Sequence, residues 1–375
     1  MEFTAGFRLD GGGTFVAPPP PPPSTYYLWS WGQNNTGQLG LNISGTDYSS
    51  PKQIGSLSNW QSTSPGFTHS LAVKTDGSLW AWGGAGYGRL GLGPIVAKSS
   101  PTQIGSLTNW STTGAGREHS LAVKTDGTLW TWGNSSLGRL GLGNNTAYSS
   151  PVQIGALTNW LNVAASYYSS LAIKTNGTMW AWGFNNNGRL GLGNTTNVSS
   201  PTQVGSLTNW LTVSANFQTS GAVKTDGTLW TWGRNHLGQL GIGNTTNESS
   251  PTQVGALTTW SAVSMGKYWG HAIKTDGTMW AWGYNSYGNL GLNNTASNNS
   301  PVQIGALTTW SKINNGDTHT AAIKTDGTFW IWGSGDNGKL GLGSTTIRSS
   351  PTQVGALTNW LNVSAGYSFT IAISN

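Results

Sequence analysis

Cysteine and charge are the two features that this 375-residue sequence has least of. It contains no cysteine, which excludes a disulfide framework and thiol chemistry. No apolar run approaches the length of a membrane span, so we expect no membrane insertion. Its first residues contain neither a basic stretch nor an apolar run, so we also expect no Sec-type signal peptide.

Charged residues make up only 8% of the chain, with a formal net charge of +6. One lysine recurs in each complete Lys-Thr-Asp/Asn-Gly segment, often beside an aspartate, so the excess is spread evenly along the sequence. Spread charge of this kind is typical of a solvated rim and not of a nucleic-acid footprint. We therefore predict no nucleic-acid partner.

Catalytic signatures are absent as well. There is no Gly-x-Ser-x-Gly, His-Glu-x-x-His or phosphate-binding Gly-Lys-Ser/Thr motif. His69, His119 and His319 share one slot of a repeating unit, but a metal or catalytic site needs several converging ligands, and equivalent slots of a ring lie far apart. We predict no enzymatic activity, no metal and no cofactor.

A 50-residue repeat is what the sequence does contain, and seven copies fill residues 26–375 without remainder. Three markers recur in step: a Trp-x-Trp-Gly block, a Ser-Pro pair and a lone tryptophan, as at Trp130–Gly133, Pro151 and Trp160. They account for 21 of the 22 tryptophans, and only Trp269 lies outside the pattern. A period of this size with β-type composition indicates a propeller or a solenoid.

The two ends of the repeat region favour the propeller. The first copy opens at Leu28 without the strand that precedes the Trp-x-Trp block elsewhere, and the last copy ends at Ile373 having just supplied that strand. A solenoid would instead carry atypical polar capping repeats. We predict that both termini share the closing blade.

One unit reads as four strands. Trp110–Thr113 and 119–124 are the first two, and 128–132 follows the Asp126-Gly127 turn as the third. The fourth strand, 151–154, begins at a proline, which suits an edge. The predicted fold is therefore an all-β, seven-bladed propeller of four-stranded antiparallel blades.

The motif Trp182-Gly183-Phe184-Asn185-Asn186-Asn187-Gly188-Arg189-Leu190-Gly191, together with Gly116-Arg117-Glu118-His119-Ser120-Leu121-Ala122-Val123, resembles the RCC1 repeat family. The resemblance covers all seven copies. It implies a seven-bladed β-propeller whose last blade contains both termini. It implies less about function, because propellers of this family serve as exchange factors, ligase modules and binding scaffolds.

The copies differ most in two sets of loops, between the first and second strands and between the third and fourth. Alternating strands place both sets on one face, which we call the variable face, whereas the opposite turn face has near-identical turns and connections. The periodic tryptophans are predicted to form the core, and Trp269 is a candidate for ligand contact. The candidate binding residues are Phe67, Arg117, Glu118, Tyr167, Tyr168, Phe217, Arg234, His236, Lys267, Tyr268, Trp269, Tyr284 and Tyr287.

Residues 1–25 differ in composition from the propeller, residues 26–375. A Gly-rich stretch precedes six consecutive prolines, Pro18 to Pro23, which favour a stiff extended rod. We predict an anchor and spacer in which residues 1–17 contact a protein partner on the side of the turn face. The candidate anchor residues are Phe3, Phe7, Arg8, Leu9 and Phe15.

Three functions fit these features. The first is a binding or structural propeller tethered by its tail to a virion tail or fibre, or to a cell-surface structure, with the variable face free to recognise a host surface or receptor. The second is a glycan-binding propeller that uses Tyr167, Tyr168, Trp269 and Tyr287. The third, implied by the family resemblance, is an intracellular regulator of a small GTPase, and it places the protein in the cytoplasm instead of on an exposed surface.

Overall fold

The computed structural model describes residues 25–375, which form seven four-stranded antiparallel sheets arranged as the blades of a ring. The predicted all-β propeller is confirmed. Among these residues no helix is long and apolar enough to cross a membrane. The proposed tail, with Phe3, Phe7, Arg8, Leu9, Phe15 and the six prolines, lies outside the described residues.

The strands follow one another with the period of the sequence. The first two are β1 (Tyr27–Gly32) and β2 (Tyr48–Gln53). Blade 1 contains β3 (Trp60–Pro65), β4 (His69–Lys74), β5 (Leu79–Gly83) and β6 (Lys98–Gln103). Blade 2 contains β7 (Trp110–Ala115), β8 (His119–Lys124), β9 (Leu129–Gly133) and β10 (Tyr148–Gln153). Blade 3 contains β11 (Trp160–Ala165), β12 (Ser169–Lys174), β13 (Met179–Gly183) and β14 (Val198–Gln203).

The remaining blades repeat this arrangement. Blade 4 contains β15 (Trp210–Asn216), β16 (Thr219–Lys224), β17 (Leu229–Gly233) and β18 (Glu248–Gln253). Blade 5 contains β19 (Trp260–Met265), β20 (Trp269–Lys274), β21 (Met279–Gly283) and β22 (Asn298–Gln303). Blade 6 contains β23 (Trp310–Asn315), β24 (His319–Lys324), β25 (Phe329–Gly333) and β26 (Arg348–Gln353). Blade 7 combines β27 (Trp360–Ala365) and β28 (Phe369–Ser374) with β1 and β2. Single 3-10 turns lie at Gly86–Gly88, Ser136–Gly138, Asn186–Gly188 and Asp336–Gly338.

Both termini complete blade 7, as predicted. In the β1–β28 pairing Leu28 lies opposite Ile373, Trp29 opposite Ala372 and Trp31 opposite Thr370. The first strand of each blade contacts the first strand of the next, including β27 with β3, so these strands surround the axis. The pairing removes the open edges that β1 and β28 would otherwise each have within blade 7, and unpaired edges invite aggregation.

The predicted strands of blade 2 match the observed ones to within a few residues. The second strand is as predicted, and Gly127 in the turn that follows it has a φ of +76°, a conformation that glycine adopts without strain. The prediction for the fourth strand was wrong, because it starts at Tyr148 and contains Pro151. A shift in register between Tyr148 and Val152 accommodates the proline, which has no N–H to donate to the neighbouring strand.

Tryptophans supply the largest side chains of the core between blades. The second tryptophan of each Trp-x-Trp pair has no exposed surface, and its indole N–H donates to a backbone carbonyl of the preceding blade, as in the 2.8 Å bond from Trp132 to Arg89. The lone Trp110 is 3% exposed and packs edge-on against Trp130 and Trp132 at 6.0 and 6.5 Å. The first tryptophan of each pair is only half-buried.

Two predictions about exposed residues were wrong. Trp269 is 1% exposed and packs into the core between blades 5 and 6, because it occupies the buried slot that holds His119 in blade 2. The lysines of the turn face do not form a solvated rim: Lys124 is 7% exposed, with its ammonium 3.9 Å from the Trp130 ring centroid. Burial lowers the pKa of Lys124, and attraction to the ring offsets part of the desolvation cost.

Candidate functional site

The two sets of divergent loops lie side by side on one face, as predicted. The backbone N–H of Asn134, after the third strand of blade 2, donates to the carbonyl of Glu118, between the first two strands, at 2.9 Å. On the opposite face the backbone N–H of Trp60 donates to the carbonyl of Tyr26 at 3.4 Å, just as the backbone N–H of Trp110 in blade 2 donates to the carbonyl of Gly77 in blade 1 at 3.0 Å. The chain therefore reaches β1 from the turn face.

Seven residues that follow the innermost strands converge on the propeller axis at the variable face. Phe67 and Tyr367 have ring centroids 4.0 Å apart, and Tyr167 lies 4.9 Å from Phe217. The hydroxyl of Tyr167 donates to Asp317, 150 residues away in the sequence, at 3.1 Å. We call the seven residues the axial cluster: Phe67, Arg117, Tyr167, Phe217, Lys267, Asp317 and Tyr367. The assumption that equivalent slots lie far apart is wrong here, because at the axis the radius of the ring is small.

Charge inside the axial cluster is paired. Lys267 forms an ion pair of 3.3 Å with Asp317, which is only 6% exposed. Burial raises the pKa of Asp317, while Lys267 and the Tyr167 hydroxyl oppose that shift. Burial also raises the pKa of Tyr167, so its hydroxyl remains protonated and can donate. The guanidinium of Arg117 lies 5.1 Å from the Phe67 ring centroid.

A narrow cavity of about 230 Å³ runs below the axial cluster and is lined by the inner strands. Small polar side chains join neighbouring blades along it: Thr63 donates to Ser364 at 3.0 Å, and Ser214 accepts from the backbone N–H of Met265 at 2.9 Å. Among residues 25–375 no group of three or more His, Cys, Asp or Glu side chains could hold a metal ion. Five members of the axial cluster also line this cavity: Phe67, Arg117, Tyr167, Asp317 and Tyr367.

An aromatic band extends outward from the axial cluster over blades 3 to 5. Its ring-to-ring steps are all between 4.9 and 6.4 Å. The band consists of Tyr167, Tyr168, Phe184, Phe217, His236, Tyr268, Tyr284 and Tyr287. Most members are half-buried, whereas His236 is exposed and Tyr287 is 38% exposed. Such a surface offers large, rigid contact area at low cost in side-chain entropy.

The other candidate residues occupy the same face. Glu118 is half-buried and accepts from Arg139 at 3.3 Å, and Arg234 is half-buried and donates to Gln218 at 2.7 Å. Except for the buried Trp269, the structure therefore brings all the predicted binding residues together on the variable face.

Sequence reasoning missed a set of buried cations beneath this face. Arg139, Arg189 and Lys339 are 2%, 1% and 3% exposed, and Arg89 occupies the same position in blade 1. All four recur at one phase of the repeat, before a Leu-Gly pair, and that recurrence was the available signal. Their charges are concentrated in the loops of the variable face. The prediction that the excess positive charge is spread evenly was therefore wrong.

The turn face is more uniform but not wholly polar. One leucine in each connection from a fourth strand to the next first strand is exposed, as with Leu157 and Leu207 at 50% and 43%. These leucines recur in all seven connections, so they form a uniform ring of apolar side chains on the turn face. They provide a matched reference surface for tests of the variable face.

The family model described as Regulator of chromosome condensation (RCC1) repeat matches seven stretches of the chain, residues 27–73, 76–123, 126–173, 176–221, 226–272, 276–323 and 326–373. The crystal structure of human WBSCR16 is similar, with a TM-score of 0.84 and 20% identity over 94% of this chain and 99% of that one. A structure of Prp20p from Saccharomyces cerevisiae has a TM-score of 0.84 and 18% identity over 94% of this chain and 92% of that one. At such identities the likeness shows the fold alone.

Proposed function

The chain belongs to the RCC1 repeat family, and we propose that it is a non-enzymatic protein-binding propeller that contacts its partner through the variable face. The aromatic band over blades 3 to 5 is the observation that carries this proposal. It is continuous, partly exposed and flanked by arginines, which is the composition that protein interfaces favour at their centre. The turn face repeats the same short connections in every blade.

The similar structures favour a regulator inside the cell over a virion or cell-surface component. Prp20p is described with its binding to Gsp1p and histones, and yeast RCC1 (Prp20) has been crystallised with Kap60 bound to it. By analogy, we place the proposed partner among proteins of the cell interior. The virion, cell-surface and tethering hypotheses gain no support from these relatives and stay predictions, as does the boundary at residue 25.

Regulation of a small GTPase by nucleotide exchange is an alternative to this proposal. Family membership favours it, but the loops between first and second strands are equally short in every blade, and the described chain has no long insertion that could act as a wedge. Nucleotide release from a GTPase would test this activity directly.

The glycan-binding alternative is weakened by the fold. Trp269 is buried. Within the axial cluster the Tyr167 ring packs against Phe67 and Phe217, and its hydroxyl donates to Asp317. Tyr168 is half-buried against Tyr167 and Phe184, so Tyr287 is the one exposed residue of the four and no stacking platform is formed by them together. Glycan-array binding remains the relevant measurement.

The binding face can be tested with two matched double variants. Tyr284→Ser with Tyr287→Ser removes the outer part of the aromatic band, whereas Leu157→Ser with Leu207→Ser removes comparable exposed apolar surface from the turn face. We expect proteins cross-linked to the wild type in extracts of its source cells to be lost only with the tyrosine variant. Loss with the leucine variant alone would place the partner on the turn face and refute the proposal.

A further inference from the structure

A buried arginine without a counter-ion lies beneath the aromatic band. Arg189 is 1% exposed; its Nε donates to the carbonyl of Asn186 at 3.1 Å and one terminal nitrogen donates to that of Phe217 at 2.9 Å. The other terminal nitrogen has no hydrogen-bond partner within the described residues. The guanidinium lies 4.7 Å from the Phe184 ring centroid, and burial lowers the pKa of Arg189 to about 10.

The equivalent arginine of blade 2 has the carboxylate partner that Arg189 lacks. Arg139 is equally buried but forms an ion pair of 3.3 Å with Glu118 of its own blade and variable face. In blade 3, which contains Arg189, the position of Glu118 is taken by Tyr168, which has no carboxylate. In blade 4 it is taken by Gln218, which accepts from a second cation, Arg234, at 2.7 Å. Burying a charge without a partner costs free energy, so the buried Arg189 guanidinium would be stabilised by an anionic group.

No carboxylate of the neighbouring loops pairs with Arg189. The variable-face loops of blades 3 and 4, residues 166–168, 184–197, 217–218 and 234–247, contain Arg189 and Arg234 but no aspartate or glutamate. Glu248 begins the adjacent outer strand, yet neither arginine takes part in the ion pairs of the described residues. Arg117, Arg139 and Lys267, the other cations of this region, are already paired with carboxylates.

We propose that Arg189 and Arg234 together anchor a carboxylate from an acidic segment of the partner protein. The inference rests on the proposed function and names the chemistry of its partner. Arginine forks match a carboxylate in a bidentate geometry, and the Phe184 ring lies against the Arg189 guanidinium at 4.7 Å and holds it in place. A nucleic-acid backbone would need a row of exposed cations, and of the two cations in the variable-face loops of blades 3 and 4, Arg189 is buried.

The test uses peptides of stated composition as probes. Binding to the full chain is measured by fluorescence polarisation for a 12-residue peptide of alternating glutamate and tyrosine, its glutamine counterpart, and a single-stranded DNA of equal charge. Arg234→Gln removes the more exposed of the two cations, and Gln218→Glu places a carboxylate beside Arg234, at the position that Glu118 holds in blade 2. Arg348→Gln, at the start of β26 in blade 6, is the matched control.

We expect the acidic peptide to bind, the glutamine peptide not to bind, and affinity to fall about tenfold or more in R234Q and Q218E but not in R348Q. Q218E should also melt at a higher temperature than the wild type. Observing that transition would show that this variant is folded. If it fails to fold, R234Q decides the outcome alone. Equal affinity in R234Q and wild type, or tighter Arg234-dependent binding of the DNA, would overturn the proposal.

The result can be separated from that of the proposed function. If the acidic peptide does not bind but the Tyr284/Tyr287 variant still loses its cross-linked partner, the carboxylate anchor is refuted and the binding face stands. If both fail, the variable face is not the interface.

Discussion

Replacing His271 by leucine should make the protein less sensitive to acid. His271 has no exposed surface, and neither ring nitrogen makes a hydrogen bond of normal geometry within the described residues. The same position holds Leu71, Leu121, Leu171 and Ile371 in other blades, so the repeat itself shows that an aliphatic side chain fits the slot. Burial lowers the pKa of His271 to about 3, and the Leu290 backbone and the Asn315 side chain counter that shift only in part.

The sign of the effect follows from proton binding. Below a pH of about 6.5 the unfolded chain protonates this histidine while the folded protein does not, so stability is lost as pH falls toward about 3. Each pH unit in that window removes about 1.4 kcal/mol, which amounts to about 2.7 kcal/mol at a pH of about 4.5. The leucine variant does not pay this penalty. Because His69, His119 and His319 remain in both proteins, their contributions cancel in the comparison.

Urea unfolding of wild type and H271L at pH values of about 7 and about 4.5 measures the effect. We expect the free energy of unfolding of H271L, relative to wild type, to rise by about 2.7 kcal/mol between the two conditions. His236→Leu, on the exposed rim of the aromatic band, should show a much smaller change. If H271L and wild type lose stability in parallel as pH falls, His271 is not held neutral in the core and the reasoning is wrong.

Three further predictions concern stability. Trp210→Ala should lower the free energy of unfolding by about 3–5 kcal/mol, because the side chain is 3% exposed and contacts two other tryptophan rings, whereas Tyr287→Ala should change it by less than about 0.5 kcal/mol in the same urea titration. Deleting residues 370–375 removes the partner strand of β1 and should cause a large fall in Tm; an unchanged melting curve would contradict ring closure. Asp317→Ala should destabilise the protein by about 3–5 kcal/mol because it leaves the Lys267 charge without its partner, and Asp317→Ala combined with Lys267→Met should recover most of that loss in a double-mutant cycle.

The burial of side chains could be predicted from the sequence at some positions and not at others. The recurrence of tryptophan at fixed positions correctly identified the second tryptophan of each Trp-x-Trp pair and the lone tryptophan as core residues, whereas the first tryptophan of each pair, which the same recurrence assigned to the core, is only half-buried. The recurrence could not show that Lys124 folds over Trp130, since a long side chain can lie along an apolar surface or reach solvent from the same backbone position. Trp269 was misplaced for a related reason: it departs from the tryptophan period but occupies a slot that is buried in every blade.

The sequence by itself determined the number of blades, their strand order, the closure by both termini and the distinction between the two faces. Those properties follow from the repeat, because each copy must bury the same positions against its neighbours. Only the tertiary structure decided which side chains meet across the ring. The phase of a residue within the repeat sets its distance from the axis, and near the axis equivalent residues such as Tyr167 and Asp317 touch although 150 residues separate them. Farther out, copies meet only their neighbours, so a missing partner such as the counter-ion of Arg189 becomes visible only when the contacts of adjacent blades are known.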